Sequence, residues 1–172
     1  MNSRAAAAQI VRDCLDGEGK SHLLLRDCLR QQPGPDGRER AFLTALVHGT
    51  LSEAVYLDAC LEELSGMPVR KMKPYIRAVL RTGLFQLYFM DRVPASAVCN
   101  ESVKLVRSRM GNALTGFVNA VLRKAAEAAR PETDEVTRAC LPRELFSYLE
   151  GLYGKENSLE IGQAFLEPAP LW

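Results

Sequence analysis

From Ser3 to Phe165, apolar residues recur at spacings of three and four, and no run of four or more residues alternates apolar with polar under β-branched enrichment. That periodicity restricts the chain to amphipathic helices. The fold class it predicts is all-α, a helical bundle with no sheet. A first helix is expected from Ser3, as its cap, to about Leu15, with Ala6, Ile10, Val11 and Cys14 on one face. A second runs from Ser21 to about Leu29 and buries Leu24, Leu25 and Cys28. Gln31-Gln32-Pro33-Gly34-Pro35 breaks the pattern, and Asp36 caps a third helix with Ala41, Phe42, Ala45 and Leu46 inward. Gly49 interrupts that helix, and Leu51 to Leu64 resumes the period.

Pro74 suits the first turn of the next helix, Tyr75 to Met90, which carries Ile76, Leu80, Gly83, Leu84 and Leu87. Pro94 opens another, with Val98, Ser102, Leu105 and Val106 inward, and a long helix follows Gly111 through Leu114, Phe117, Val118, Val121 and Ala125. Arg130-Pro131 ends the compact part. Beyond it lie an acidic connector (Glu132, Asp134, Glu135), a helix from Pro142 through Leu145, Tyr148, Leu149 and Leu152, a short helix over Asn157–Phe165 and a Pro-rich linker. The domain reading is therefore residues 1–130, then 131–172.

The 172 residues are 47% hydrophobic and 25% charged, which excludes a disordered or low-complexity chain. The five cysteines, Cys14, Cys28, Cys60, Cys99 and Cys140, form no CxxC and no disulfide framework. Cys14, Cys60 and Cys99 read as small buried hydrophobes, and a cytoplasmic location follows. The N-terminus lacks a signal peptide's apolar stretch, and the longest uncharged run, Thr82 to Met90, is too short to span a membrane.

The net charge of +1 conceals a division. Residues 1–66 carry −3, residues 67–130 carry +9 and residues 131–172 carry −5. In the basic third, Arg70, Lys71, Lys73 and Arg77 cluster where one helix begins, Lys104, Arg107 and Arg109 end the next, and Arg123 and Lys124 sit on the third. A helix C-terminus favours Arg107 and Arg109 through its dipole, and Glu127 can pair with Arg123 and Arg130. No acid lies near the Arg70–Arg77 group in sequence. Two readings stand: a patch that neutralises a nucleic-acid backbone, or a solvated basic face. Apart from Tyr75, no aromatic interleaves with these cations, which favours phosphate contact over base stacking.

Catalytic signatures are missing: no GxGxxG, no GxxxxGK[ST], no HExxH and no GxSxG. His22 and His48 stand apart, His48 reading as a packing or capping residue, and Glu62-Glu63 belongs to an exposed acidic face. No catalytic, cofactor-binding or metal-binding residue is assigned. By itself the chain reads as a binding module.

Residues 80–123, LRTGLFQLYFMDRVPASAVCNESVKLVRSRMGNALTGFVNAVLR, resemble the signature of the NusB-like RNA-binding domain. The matching residues are Leu80, Arg81, Gly83, Phe85, Gln86, Leu87, Pro94, Asn100, Glu101, Val103, Phe117, Val118, Asn119 and Leu122. Ala41–Leu51 resembles the family's helix junction, and Asp58 falls where the family has an LD pair. Leu141, Pro142, Tyr153, Gly154, Pro168, Pro170, Leu171 and Trp172 are similar to the join that leads, in the Sun/RsmB family of 16S ribosomal RNA cytosine-5 methyltransferases, into the catalytic domain; Glu144 stands where that family usually has Trp.

The resemblance implies a NusB-like bundle with additional C-terminal helices, acting as the N-terminal domain of such an enzyme. Its partners would be RNA, 16S rRNA in particular, and its own catalytic domain, with no membrane. S-adenosylmethionine is expected for the full-length parent and not for this part. A NusB-type antitermination factor, binding RNA and a ribosomal protein, is the alternative, and a protein-docking module the third reading. The resemblance also implies an arginine-rich RNA surface on the first helix. This chain keeps only Arg4 and Arg12 there, against Asp13 and Asp16. The expected RNA-binding residues are therefore Arg70, Lys71, Lys73, Arg77, Arg107, Arg109, Arg123 and Lys124. Among the motif residues, Gly83 is expected to allow close helix approach. Arg81 and Glu101 are expected to pair between helices, and Asn119 to hydrogen-bond a neighbouring backbone.

Overall fold

The computed structural model describes residues 2–17, 19–31 and 37–167, and within them there are helices and no strand. The order is α1 (Ser3–Leu15), α2 (Ser21–Arg30), α3 (Gly37–Ser52), α4 (Ala54–Ser65), a 3-10 turn (Val69–Lys71), α5 (Pro74–Phe89), α6 (Ala95–Met110), α7 (Thr115–Glu127), α8 (Glu135–Arg138), α9 (Arg143–Tyr153) and α10 (Lys155–Leu166). The breaker at Gln32–Pro35, the Asp36 cap and the linker residues Pro168–Trp172 lie outside the described residues.

The bundle is organised around α5. Eleven of its sixteen residues are buried, on every side of the helix, and it packs against α1, α3, α4, α6 and α7. A helix apolar all round belongs inside. Its buried Thr82 and Gln86 side chains are satisfied, whereas the Tyr88 hydroxyl and Arg77 Nε have no hydrogen-bond partner among the described residues. Thr82 Oγ1 donates to the Ala78 carbonyl at 3.0 Å, and Gln86 Nε2 donates to the Thr82 carbonyl at 2.8 Å. Gln86 Oε1 accepts from Arg4 Nε at 2.7 Å, which ties α1 to α5. On one side, α4 to α7 enclose Tyr56, Leu57, Leu61, Ile76, Leu80, Val106 and Leu122; on the other, α1, α2 and α3 enclose Ala7, Ile10, Leu25, Leu43, Leu46 and Val47. Phe85 touches both clusters.

Two glycines permit these approaches. A Cβ on Gly83 would lie 2.7 Å from Leu122 Cδ2, so the bare backbone lets α7 seat on α5 as expected. Gly49 does not break its helix; α3 runs through it to Ser52. A Cβ there would lie 2.0 Å from Cζ of Phe85, so the glycine makes room for that ring. The break falls at Glu53, the N-cap of α4.

Several other local features depart from the pattern the sequence predicts. The side chain of Asn2, not Ser3, caps α1, accepting from the backbone N–H of Arg4 at 3.0 Å. In α3 the buried face is Leu43, Leu46, Val47 and Thr50, with Ala41 and Ala45 outside, because the larger side chains bury more apolar area. His48 is exposed and neither packs nor caps. Cys14, Leu24 and Cys28 are half-buried. The acidic connector contains the single turn α8, capped by Asp134, whose carboxylate accepts from the Thr137 N–H at 2.7 Å.

After α8, Cys140 takes a left-handed backbone (φ 54°), and its Sγ donates to Glu53 Oε2 at 3.3 Å. Burial, reinforced by the Glu53 carboxylate, pushes this thiol from 9.0 up to about 12. The folded state thus keeps it neutral where the unfolded chain ionises it. That stabilisation is complete below about pH 9 and is lost as pH rises toward 12. The thermal midpoint is expected to fall across that window, and to fall less in Cys140→Ala; equal slopes in a pH series of melts would contradict this.

Candidate nucleic-acid interface

A four-residue connection joins α6 to α7, and the two helices pack as an antiparallel hairpin. Between them runs a polar cleft of about 430 Å³. From α6 it receives Asn100, Val103, Lys104 and Arg107, which share one face at i, i+3, i+4 and i+7. From α7 it receives Thr115, Gly116, Asn119 and Arg123. Four residues singled out in the sequence therefore meet here: the motif amides Asn100 and Asn119 and the cations Arg107 and Arg123. Sequence reasoning left Lys104, Val103, Thr115 and Gly116 out of the site. The 100-103-104-107 spacing was the signal available for the first two.

The opposite flank of α7 shapes a second cleft of about 330 Å³, mostly apolar, lined by Met67, Lys71, Met72, Lys73, Ile76, Leu114 and Phe117. The first turns of α7 thus separate Lys71 and Lys73 from Arg107 and Arg123.

The eight expected contact residues divide by what already holds them. Arg77 Nη2 meets Oδ1 of Asp16, the C-cap of α1, at 2.8 Å, an ion pair across 61 positions, so its acid was distant in sequence and near in space. Arg109 hydrogen-bonds Gln9 Oε1 and lies 4.4 Å over the Tyr75 ring. Lys124 Nζ donates to the Leu64 carbonyl at 3.2 Å. These three staple helices together. Arg70, Lys71, Lys73, Arg107 and Arg123 are exposed and have no side-chain hydrogen bond or ion pair among the described residues. The expected Glu127 pairs are not formed: Arg123 faces the cleft, and Arg130 lies 5.0 Å over the Tyr88 ring and donates to the Tyr88 carbonyl.

The motif charges also pair differently from expectation. Arg81 forms a side-on bidentate bridge to Asp58 of α4, Nε to Oδ1 at 2.6 Å and Nη2 to Oδ2 at 2.5 Å. Glu101 takes Lys104 at 2.7 Å on its own helix, and that contact holds its carboxyl below the usual range. Arg81 points from α5 toward α4, which puts Glu101 on α6 out of its reach. The Asn119 side chain makes no hydrogen bond to any described residue; its half-exposed amide opens into the cleft instead.

Burial raises the thiols of Cys14, Cys28, Cys60, Cys99 and Cys140 alike, so they are neutral at physiological pH. Among the described residues no three His, Cys, Asp or Glu side chains are grouped to hold a metal, and no helix is long and apolar enough to cross a membrane.

A model of the NusB family matches residues 1–127. The ribosomal RNA small subunit methyltransferase B of Thermus thermophilus is 34% identical over 169 residues, covering 98% of this chain and 39% of that protein. The transcription antitermination protein NusB of Chloroflexus aggregans is 34% identical over 122 residues, covering 69% of this chain and 81% of that protein. The crystal structure of PH0851 superimposes with a TM-score of 0.77 at 16% identity, over 98% of this chain and 40% of that one, and supports the fold. The chain spans 28% to 40% of the length of four methyltransferase B relatives. With the signature residues on α5, α6 and α7 and a family match over three quarters of its length, this chain belongs to the NusB family.

Proposed function

We infer that this chain is the RNA-binding N-terminal domain of a cytoplasmic ribosomal RNA (cytosine-5) methyltransferase, and that it positions 16S rRNA for a catalytic domain. Residues 1–130 form the NusB-like unit in this reading, and 131–172 lead toward the catalytic part. The observation that carries it is the set of five exposed, unpaired cations, Arg70, Lys71, Lys73, Arg107 and Arg123, of which the last four flank the start of α7. A phosphate backbone is the ligand such a surface suits, because each cation it engages releases condensed counterions. The methyltransferase relative from Thermus thermophilus supports the choice of parent, since its similarity extends over 98% of the chain.

The end of the chain fits the same reading. On α9, Leu145, Tyr148 and Leu152 lie along one face, and Tyr148 is 65% exposed; Phe165 on α10 is 69% exposed. An apolar stripe of this kind suits contact with another domain. S-adenosylmethionine belongs to that other domain in this account. The α6–α7 cleft presents no carboxylate to take a ribose diol or a sulfonium, and no step is assigned to the cofactor here. The antitermination-factor reading is favoured by one observation, the 81% coverage of the Chloroflexus aggregans protein.

The test is equilibrium binding to short 16S rRNA stems at several salt concentrations. Five phosphate contacts predict log K falling against log salt with a slope of about −4. Negligible affinity from a normally folded protein would contradict the RNA reading and favour protein docking.

A further inference from the structure

The α6–α7 cleft carries more chemistry than a phosphate contact uses. Arg107 and Arg123 account for an anion. Asn100 and Asn119 do not. Each amide offers an N–H donor and a carbonyl acceptor, and a phosphate can satisfy only the donor. A ligand with N–H groups of its own would use the carbonyl oxygens as well. Base edges carry donors and acceptors side by side. The shape points the same way. A paired RNA helix meets proteins along its backbone and shallow minor groove, with its bases stacked inside. A concave cleft of about 430 Å³ admits a nucleotide turned out of the stack. The cleft has no aromatic lining, and the guanidinium planes of Arg107 and Arg123 offer flat faces for stacking. Val103 supplies an apolar wall. At Gly116 an added Cβ would meet nothing within 4 Å, so the space is open along α7.

We propose that the α6–α7 cleft binds one unpaired nucleotide of the RNA, its phosphate held by Arg107 and Arg123 and its base edge by the amides of Asn100 and Asn119. The proposal rests on the RNA reading above and narrows its substrate from duplex RNA to RNA with a bulged or looped-out residue.

The experiment compares three hairpins with identical stems: fully paired, carrying a single-nucleotide bulge, and carrying an abasic residue at the bulge. Binding is read by fluorescence anisotropy. Hydrogen bonds from two amides to a base predict about tenfold tighter binding of the bulged hairpin than of either other. Gly116→Phe fills the cleft and removes no charge, and Asn119→Leu deletes one amide at similar size; both are checked for helicity and melting. Each is expected to bring the ratio of bulged to paired affinity toward one. Equal binding of bulged and paired hairpins by the wild-type chain would overturn the proposal and leave the RNA reading standing. So would a preference that survives both substitutions, or an abasic bulge that binds as well as a complete one. Binding of none of the three would overturn the RNA reading and the proposal together.

Discussion

Asp58→Ala is expected to destabilise the protein by about 3–5 kcal/mol, a large share of the roughly 5–15 kcal/mol that holds a domain of this kind together. The reason is asymmetric burial. The Arg81 side chain is 8% exposed and sits on the central helix α5, whereas the Asp58 side chain is 25% exposed on α4. Removing the carboxylate leaves a guanidinium desolvated and unpaired. Removing the arginine leaves a carboxylate that water can reach, so Arg81→Ala is expected to cost less than Asp58→Ala. Replacing both at once, as Asp58→Leu with Arg81→Met, is expected to recover most of the loss, because apolar residues of similar volume need no partner. Urea unfolding of the four proteins measures all three differences. Asp58→Ala within about 1 kcal/mol of the parent would show that the bridge carries little.

Gly49→Ala is the second large effect, and its sign turns on two opposed magnitudes. In a helix interior alanine is favoured over glycine by about 1 kcal/mol. Against this, the new Cβ would fall 2.0 Å from Phe85 Cζ and 2.5 Å from Phe85 Cε2. Phe85 is held by both halves of the core and stacks on Phe89 with ring centroids 5.2 Å apart, so the ring cannot retreat without disturbing them. Overpacking of this kind costs about 1–3 kcal/mol and sometimes more, which outweighs what propensity returns. Phe85→Leu in the same chain is expected to relieve the clash, so that the double variant loses less than the sum of the two singles. Strict additivity in thermal or urea melts would mean that glycine and ring do not share the space.

The contrast between α6 and α3 shows what the sequence could reveal. On α6 the inward residues Val98, Ser102, Leu105 and Val106 follow one face with polar residues between them, and all four are buried. Periodicity sufficed because only one face was apolar. On α3, Ala41, Phe42, Leu43, Ala45, Leu46 and Val47 cover most of the circumference, and the period alone could not choose the inward side. Competition among neighbouring helices chose it, by size. Gly49 was legible as a departure from helix propensity, but the cause was a ring 36 positions away.

Charges were the least legible feature. The basic third and the motif amides were visible in the sequence, and the bundle brings Asn100, Arg107, Asn119 and Arg123 into one cleft. Which cations were already engaged was not visible, because Asp16 reaches Arg77 and Gln9 reaches Arg109 only once α1 has packed against α5 and α6. The same applies to Arg81, whose partner is decided by the direction in which α5 presents it. Local charge counts give the supply of cations; the tertiary structure decides how many remain unpaired.

RNA binding through this unpaired local surface, and not through net charge, is what the salt dependence of affinity tests. The direct measurement is the salt dependence of rRNA-stem affinity for three proteins: the wild type, Arg107→Ala/Arg123→Ala, and a control pair, Lys20→Ala/Arg40→Ala, that removes the same charge from exposed positions outside the basic third. The slope of log K against log salt is expected to change from about −4 to about −2 in the first pair and to stay near −4 in the control. Equal changes in the two pairs, or a wild-type slope near zero, would contradict binding through this surface.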